Sequence, residues 1–339
     1  MSGFDKRLTP ARPDLAASHL RGKVEAERFV DGVAMQVIDV SAPLRSVPSP
    51  EASLDTEALH GERVTVYEET GEGWSWGQLD RDGYVGWLPS NALARGVAKP
   101  THRVRALRTF VFPKPDIKSP PVASLSFGSV FTLKREQADF MVTETGGFIP
   151  KQHVVPLDFR ESDSVEAAAR FLGTPYLWGG KTSAGLDCSA LVQLALQSAG
   201  RECPRDSDMQ QKIGHHVSFS GDESALLRGD LIFWKGHVGL YAGRGMLLHA
   251  NAFHMAVAEE PLTAAIERIR AAGSELLDDR RIGPQHAEDQ PGSCRVRVSG
   301  GYAPARVDGK MSATNPRRAP LPARRRLRTA RGCNRSPGA

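Results

Sequence analysis

Cys188, His237 and His249 are the residues whose types and order could do covalent chemistry in this 339-residue chain. Cys188 follows the glycine-rich stretch Gly179-Gly180 and opens an apolar run that ends at Gly200. That pattern puts the thiol at a helix start, where free backbone amides favour an anion and hence a thiolate. His237 comes after the tight Lys235-Gly236 turn at the beginning of a strand, and His249 lies in the next strand. Two antiparallel neighbours joined by a short loop can set the imidazoles side by side, the second fixing the tautomer of the first. Cysteine attack on an amide needs a nucleophile, a base, a group that orients the base, and donors for the oxyanion. A lone cysteine at a helix start is most often a small buried residue. The inference rests on the ordered set Gly-Gly, Asp-Cys-Ser, His-Val-Gly and Leu-His-Ala.

The elements that must position these residues can be read from the patterning. Ser164 reads as the N-cap of a helix over Val165 to Leu172, and Cys188 to Ala199 as a second helix buried on most sides. Asp230–Trp234, His237–Tyr241 and Met246–Ala250 read as consecutive strands, and residues 262 to 272 as a closing helix, which together predict an α+β domain over 161–282. Upstream, Arg63–Tyr67, Trp74–Leu79 and Tyr84–Leu88 are short strands separated by Gly71-Glu72-Gly73 and Asp82-Gly83, the texture of a small all-β barrel over 31–98. A second barrel is predicted over 99–160, with strands in Val104–Val111 and Ser129–Leu133 and a Gly146-Gly147-Phe148 turn. Residues 1–30 read as an irregular or partly helical lead-in, and 283–339 as a basic, disordered tail.

Charge separates the tail from the rest. After Ile282 there are 12 basic against 3 acidic residues; before it there are 32 against 36. The formal net charge of +5 therefore belongs to the tail, and the folded part offers no basic face for nucleic acid. The four cysteines form no Cys-x-x-Cys pair, which argues against a disulfide framework or a structural zinc site. Met1–Arg7 is not followed by an apolar run, and no stretch is long enough to cross a membrane, so a cytoplasmic location without membrane contact is expected. His215-His216 has no supporting metal-ligand spacing and reads as a loop, and no metal or organic cofactor is expected.

Residues 164–282 resemble the NlpC/P60 family of papain-like cysteine peptidases. The resemblance is carried by Pro175-Tyr176-Leu177-Trp178-Gly179-Gly180, Asp187-Cys188-Ser189, Arg228-Gly229-Asp230-Leu231-Ile232-Phe233-Trp234, His237-Val238-Gly239-Leu240-Tyr241 and Leu248-His249-Ala250. It implies Cys188 as nucleophile, His237 as general base, His249 as the orienting third residue, and Tyr176 with the Cys188 amide beside the oxyanion. Ala190 departs from the glycine that usually follows Asp-Cys-Ser. The tandem barrels resemble the SH3-like domains of the members that cut γ-D-glutamyl–diamino acid bonds in cell-wall peptides. That likeness implies that Asp187 and Ser189 meet the free amine of an N-terminal L-alanine, with Trp178 on the substrate side. The alternative for Asp187 is a plain N-cap. Trp74, Trp76, Tyr84 and Trp87 could line the groove, with barrel core expected for at least half; Arg205, Ser207 and Gln210 could touch substrate or hold a loop.

The expected function is hydrolysis of free murein peptides bearing an unblocked L-Ala. Rivals are an exported DL-endopeptidase on polymeric peptidoglycan, a non-catalytic module binding wall fragments, and an acyltransferase on the same fold.

Overall fold

A computed structural model describes residues 4–217, 219 and 223–283, so the predicted tail, with Cys294 and Cys333, lies outside the described residues. Alternating apolar runs broken by glycine turns give seven antiparallel strands between Val33 and Arg95, in the spatial order Leu54–Leu59, Ser41–Arg45, Val85–Pro89, Trp74–Leu79, Arg63–Glu69, Val33–Val37, Leu93–Arg95. Leu44, Val64, Val66, Leu79 and Leu88 fill one core. Trp76 and Trp87 turn to the other face, where Leu15 covers them and the Arg12 guanidinium lies 4.4 Å and 4.9 Å from their rings. The lead-in is therefore not helical beyond a 3-10 turn at Ser18–Leu20. Its Leu15–Ala17 pairs in parallel with Arg28–Val30, because its few apolar residues are used to roof the indoles.

The second β region has shorter elements than expected. His102–Val104 and Arg108–Val111 replace one continuous strand, because the amides of Arg105 and Ala106 both donate to His153 O and turn the chain. Val130–Phe131 and Leu133–Gln137 likewise replace Ser129–Leu133. Phe112, Phe140 and Phe148 meet edge to face, and Val104, Leu125 and Ile149 form a separate small cluster.

The remaining described residues place helices on both faces of a six-stranded antiparallel sheet, ordered His215–His216, Leu276–Arg281, Leu231–Trp234, His237–Gly243, Met246–Asn251, Ala256–Pro261. Ser164–Ala169 and Cys188–Ser198 pack on the face carrying Phe233, Val238, Leu240 and Leu248. Leu262–Ala271 packs on the face carrying Ile232, Trp234 and Leu247. Ten of the eleven residues of Cys188–Ser198 are buried, Ala190 among them. Replacing any of its core leucines by alanine should cost about 2–5 kcal/mol. Asp163, not Ser164, caps the first helix, its Oδ1 accepting from Val165 N at 2.8 Å. Leu276–Arg281 is a strand that the sequence did not announce, and His215–His216 pairs with it as a two-residue edge strand instead of a loop.

The three regions share surfaces. Leu59 and Phe127, one from each β region, insert into the core that holds the Cys188 helix. Gly179 has φ +73, and a side chain there would begin 2.2 Å from Leu54 O, so only glycine lets the loop before Cys188 lie on the first β region. Glu161 accepts from Arg105 at 2.7 Å and Arg170 at 2.8 Å; burial works to raise its pKa, and the two guanidiniums win, holding it at about 2.

Candidate active site

Cys188 is the first residue of its helix because Asp187 caps it. Asp187 Oδ1 accepts from Ala190 N at 2.8 Å, and the extended Asp187 backbone turns the chain in from the glycine loop. The thiol is buried, and the Val238 amide N–H is directed at its sulfur. Burial, reinforced by the Asp187 charge, pushes the thiol up to about 12, overcoming the helix-start amides and Arg205. Burial thus opposes the thiolate that the helix position favours.

The Val238 that faces the sulfur follows His237, the first residue of its strand. Leu240 pairs with Leu248, a register that puts His249 on the face of Gly239 and leaves His237 diagonally adjacent. A Cβ at Gly239 would lie 3.2 Å from His249 Cβ and 2.7 Å from Leu247, so its absence opens room beside the second imidazole. His237 Nε2 and His249 Nδ1 are 2.8 Å apart. Burial depresses both imidazoles to about 3, with the facing His249 and Arg268 adding to the effect on His237, and Arg268 and His254 to that on His249. Among the described residues, His237 Nδ1 has no hydrogen-bond partner, nor do thiol and imidazole share a hydrogen bond. Resting catalytic contacts of this kind often tighten only with substrate in place.

In front of Cys188 lies a pocket of about 360 Å³ bounded by Tyr176, Trp178, Ser189, Ser207 and Gly236 from the α+β region, Asp55 and Tyr84 from the first β region, and Arg7 from the lead-in. Four carboxylates, Asp55, Asp187, Asp206 and Asp208, also border it. Tyr176 is half-buried, and burial followed by the Cys188 and Asp187 charges raises its pKa, so its hydroxyl keeps its proton and can donate. Trp178 stands at the mouth, 66% exposed. Trp76 and Trp87 are core; of the four barrel aromatics named from the sequence, only Tyr84 reaches the pocket.

Asp187 caps the helix, as one of its two expected readings had it, and also lines the pocket, where Arg205 matches its charge. Arg205, itself buried, donates to Oδ1 at 2.9 Å and to Oδ2 at 2.7 Å, and Gly179 N donates to Oδ2 at 3.0 Å. With Ala190 N and Ser189 Oγ these donors fill the carboxylate, and its charge is matched by Arg205. Ser189 Oγ is held in the same network by Arg205 at 2.8 Å. Gln210 ties Ser189 O and Pro204 O together and does not enter the pocket, and Cys203 is a buried free thiol away from it.

Sequence reasoning missed the far wall. Asp206 accepts from Arg7 Nη1 at 2.7 Å and from Tyr84 Oη at 3.1 Å. Asp55 accepts a hydrogen bond from the Ser46 amide and takes no side-chain partner among the described residues. Burial raises both carboxyl groups, and Asp206 further raises Asp55. The signal was weak: Asp206 lies between Arg205 and Ser207, both named from the sequence, but Asp55 and Arg7 are distant in sequence and converge only through the fold. Two clusters have donor atoms within metal-binding reach of one another: His249, His254 and Glu260, and His216, Asp278 and Asp279. Each already holds a guanidinium, Arg268 on Glu260 and Arg280 on Asp278.

Residues 173–269 match the NlpC/P60 family, and residues 44–93 match the bacterial dipeptidyl-peptidase SH3 domain. The chain is 32% identical over 222 residues to a γ-D-glutamyl-L-lysine dipeptidyl-peptidase of Bacillus subtilis, covering 58% of this chain and 72% of that one. It is 26% identical to the Bacillus cereus protein of the same name, covering 73% and 89%. The crystal structure of a Bacillus cereus NlpC/P60 family protein superposes with a TM-score of 0.62 at 23% identity, covering 74% of this chain and all of that one, which supports the fold. With its helix-borne cysteine and paired strands, the chain belongs to the NlpC/P60 family: it is a cysteine peptidase with an N-terminal bacterial SH3-type domain.

Proposed function

We propose that this peptidase releases L-Ala-D-Glu from free murein peptides by cutting the γ-D-glutamyl bond to a diamino acid. The observation that carries the reading is the acidic lining of the pocket. Asp55 lines it without a side-chain partner among the described residues and is raised by burial and by the Asp206 charge, a condition a cation would relieve, while Asp206 beside it is already paired with Arg7. An N-terminal ammonium fits that demand, and an acylated amine, having no charge, does not. The γ-D-glutamyl-L-lysine dipeptidyl-peptidases among the relatives support the bond type.

In this reading His237 Nδ1 takes the Cys188 proton as sulfur attacks the γ-carbonyl. The Tyr176 hydroxyl and the Cys188 amide receive the oxyanion. The imidazolium returns the proton to the leaving amine as the C–N bond breaks. Water, deprotonated by the same imidazole, then cleaves the thioester. A neutral thiol–imidazole pair makes this a general-base mechanism with proton transfer coupled to attack. His249 orients His237. The ammonium role passes from Asp187 to Asp55 and Asp206, with Asp187 and Arg205 as the frame beneath Ser189, and Trp178 shields the entrance. The strands of 99–160 are read as a second SH3-like barrel between a first at 31–98 and the catalytic domain at 161–282.

The test is a mass-spectrometric digest of L-Ala-γ-D-Glu-L-Lys and its diaminopimelate counterpart, each beside an N-acetylated copy. Release of L-Ala-D-Glu from the free peptides alone is expected, and Cys188→Ala should abolish it with the fold retained. Equal cleavage of acetylated copies would place the enzyme with endopeptidases of polymeric peptidoglycan.

A further inference from the structure

The hydrogen-bond chain behind the cysteine does not stop at His249. His249 Nε2 lies 2.8 Å from Glu260 Oε1, and the same oxygen is ion-paired with Arg268. Glu260 sits on the edge strand Ala256–Pro261, paired opposite Leu247 while Ala258 pairs with His249, so it reaches His249 diagonally on the same sheet face. Arg268 comes from the helix Leu262–Ala271 that packs on that face, and its guanidinium is stacked 4.3 Å from the Phe253 ring. His249 is fully buried, so the protons on its two nitrogens are fixed by these neighbours and not by water.

We propose that Glu260 is a positioning residue that sets the tautomer of both histidines and thereby leaves His237 Nδ1 free to accept the Cys188 proton. The argument uses only donor and acceptor capacity. An ionised carboxylate paired with a guanidinium can only accept, so His249 must carry its proton on Nε2. A neutral His249 then has a bare Nδ1, which can only accept, so the proton in the 2.8 Å contact belongs to His237 Nε2. Neutral His237 in turn has its lone pair on Nδ1, the nitrogen without a partner among the described residues. Without Glu260 the opposite arrangement becomes available: His249 could donate from Nδ1 to a bare His237 Nε2, placing the His237 proton on Nδ1, where it blocks the base. Arg268 matters in the same scheme, because it keeps Glu260 an acceptor and occupies the oxygen that a metal ion bridging His249, His254 and Glu260 would need.

This proposal rests on the catalytic reading of Cys188 and His237, and its test separates the two. Long-range proton–nitrogen NMR of the histidine-labelled full chain at neutral pH should show His237 and His249 both protonated on Nε2. A wild-type His249 carrying its proton on Nδ1 would overturn the proposal whatever any variant does. In Glu260→Gln, whose amide can also donate, a mixture of tautomers at both rings is expected. With it goes a roughly ten- to hundredfold loss in kcat at nearly unchanged KM, since substrate contacts are untouched. The acid limb of kcat/KM should move to lower pH, because the carboxylate that favours imidazolium is gone while Arg268 and His254 still face the pair. Glu260→Asp, one methylene short, should recover part of the rate. Unchanged tautomers and rate in a folded Glu260→Gln protein would overturn the proposal while leaving the catalytic reading intact. Activity retained by Cys188→Ala would defeat the catalytic reading while the tautomer measurement still decides the role of Glu260.

Discussion

The two walls of the pocket solve opposite electrostatic problems. Around Cys188 at the pocket, and around His237 and His249 behind it, burial works against charge: the thiol is pushed up and the imidazoles down. On the side made by Asp55, Asp206, Asp208 and Arg7, three carboxylates lie near one another, with Arg7 paired to Asp206 and Asp208 and with Arg205 and Arg45 acting from behind. The first wall must move a proton, which is easiest between neutral partners whose hydrogen bonds are already directed. The second, in the proposed function, receives a charged group, which needs an excess of the opposite sign. Between them, Asp187 and Arg205 show a third state, a buried pair whose charges cancel and which acts as scaffold.

Breaking the scaffold should have the largest effect. Arg205→Ala leaves Asp187 buried without its partner and should cost about 3–5 kcal/mol in denaturant unfolding. Retention of wild-type stability would show that Asp187 is not held as described. Next is the charged wall. Asp55→Asn should reduce kcat/KM for the free-amine peptide by about 1.5–3 kcal/mol of transition-state binding, roughly ten- to hundredfold, mostly through KM. Unchanged KM for the free-amine peptide in a folded Asp55→Asn protein would separate Asp55 from the amine. The smallest effect sharpens the neutral wall. The folded pKa values of His237 and His249 are depressed to about 3, so between pH 6.5 and 3 the unfolded chain binds protons that the native state refuses. Their contribution to stability therefore falls as pH drops through that window and is constant above it. Denaturation midpoints in His249→Gln should show a shallower acid slope than wild type. An identical slope would mean that His249 is not kept neutral.

What could be read from the sequence followed from local rules. The Cys188 helix, the two histidine strands and the first β region all have runs with one clear period, set off by glycine turns. The second β region was legible only in outline because its strands are two to five residues long, too short for alternation to register. Leu276–Arg281, with two aspartates and two arginines, looks like loop; it is a strand because it pairs on both sides, with Arg281 bonded to Asp230. The N-cap of the first helix was misplaced by one residue because Asp163 and Ser164 are both good caps and only geometry chooses. Asp187 was ambiguous for a deeper reason. Whether a carboxylate at that position greets a ligand or is neutralised depends on Arg205, which arrives from beyond the far end of the helix. Asp55, Arg7 and Glu260 were invisible because their roles depend on long-range register.

The reach of Arg7 has a consequence for the life of the enzyme. The acidic lining of the pocket is assembled from the lead-in, the first β region and the turn after the Cys188 helix, whereas the cysteine and histidines lie in the α+β region alone. Clipping the chain between Arg7 and Val33 would spare every group that moves a proton and would remove the counter-charge from Asp206 and Asp208. Damage at that end should therefore leave a more acidic pocket, and an enzyme that still cuts and favours a free amine more strongly.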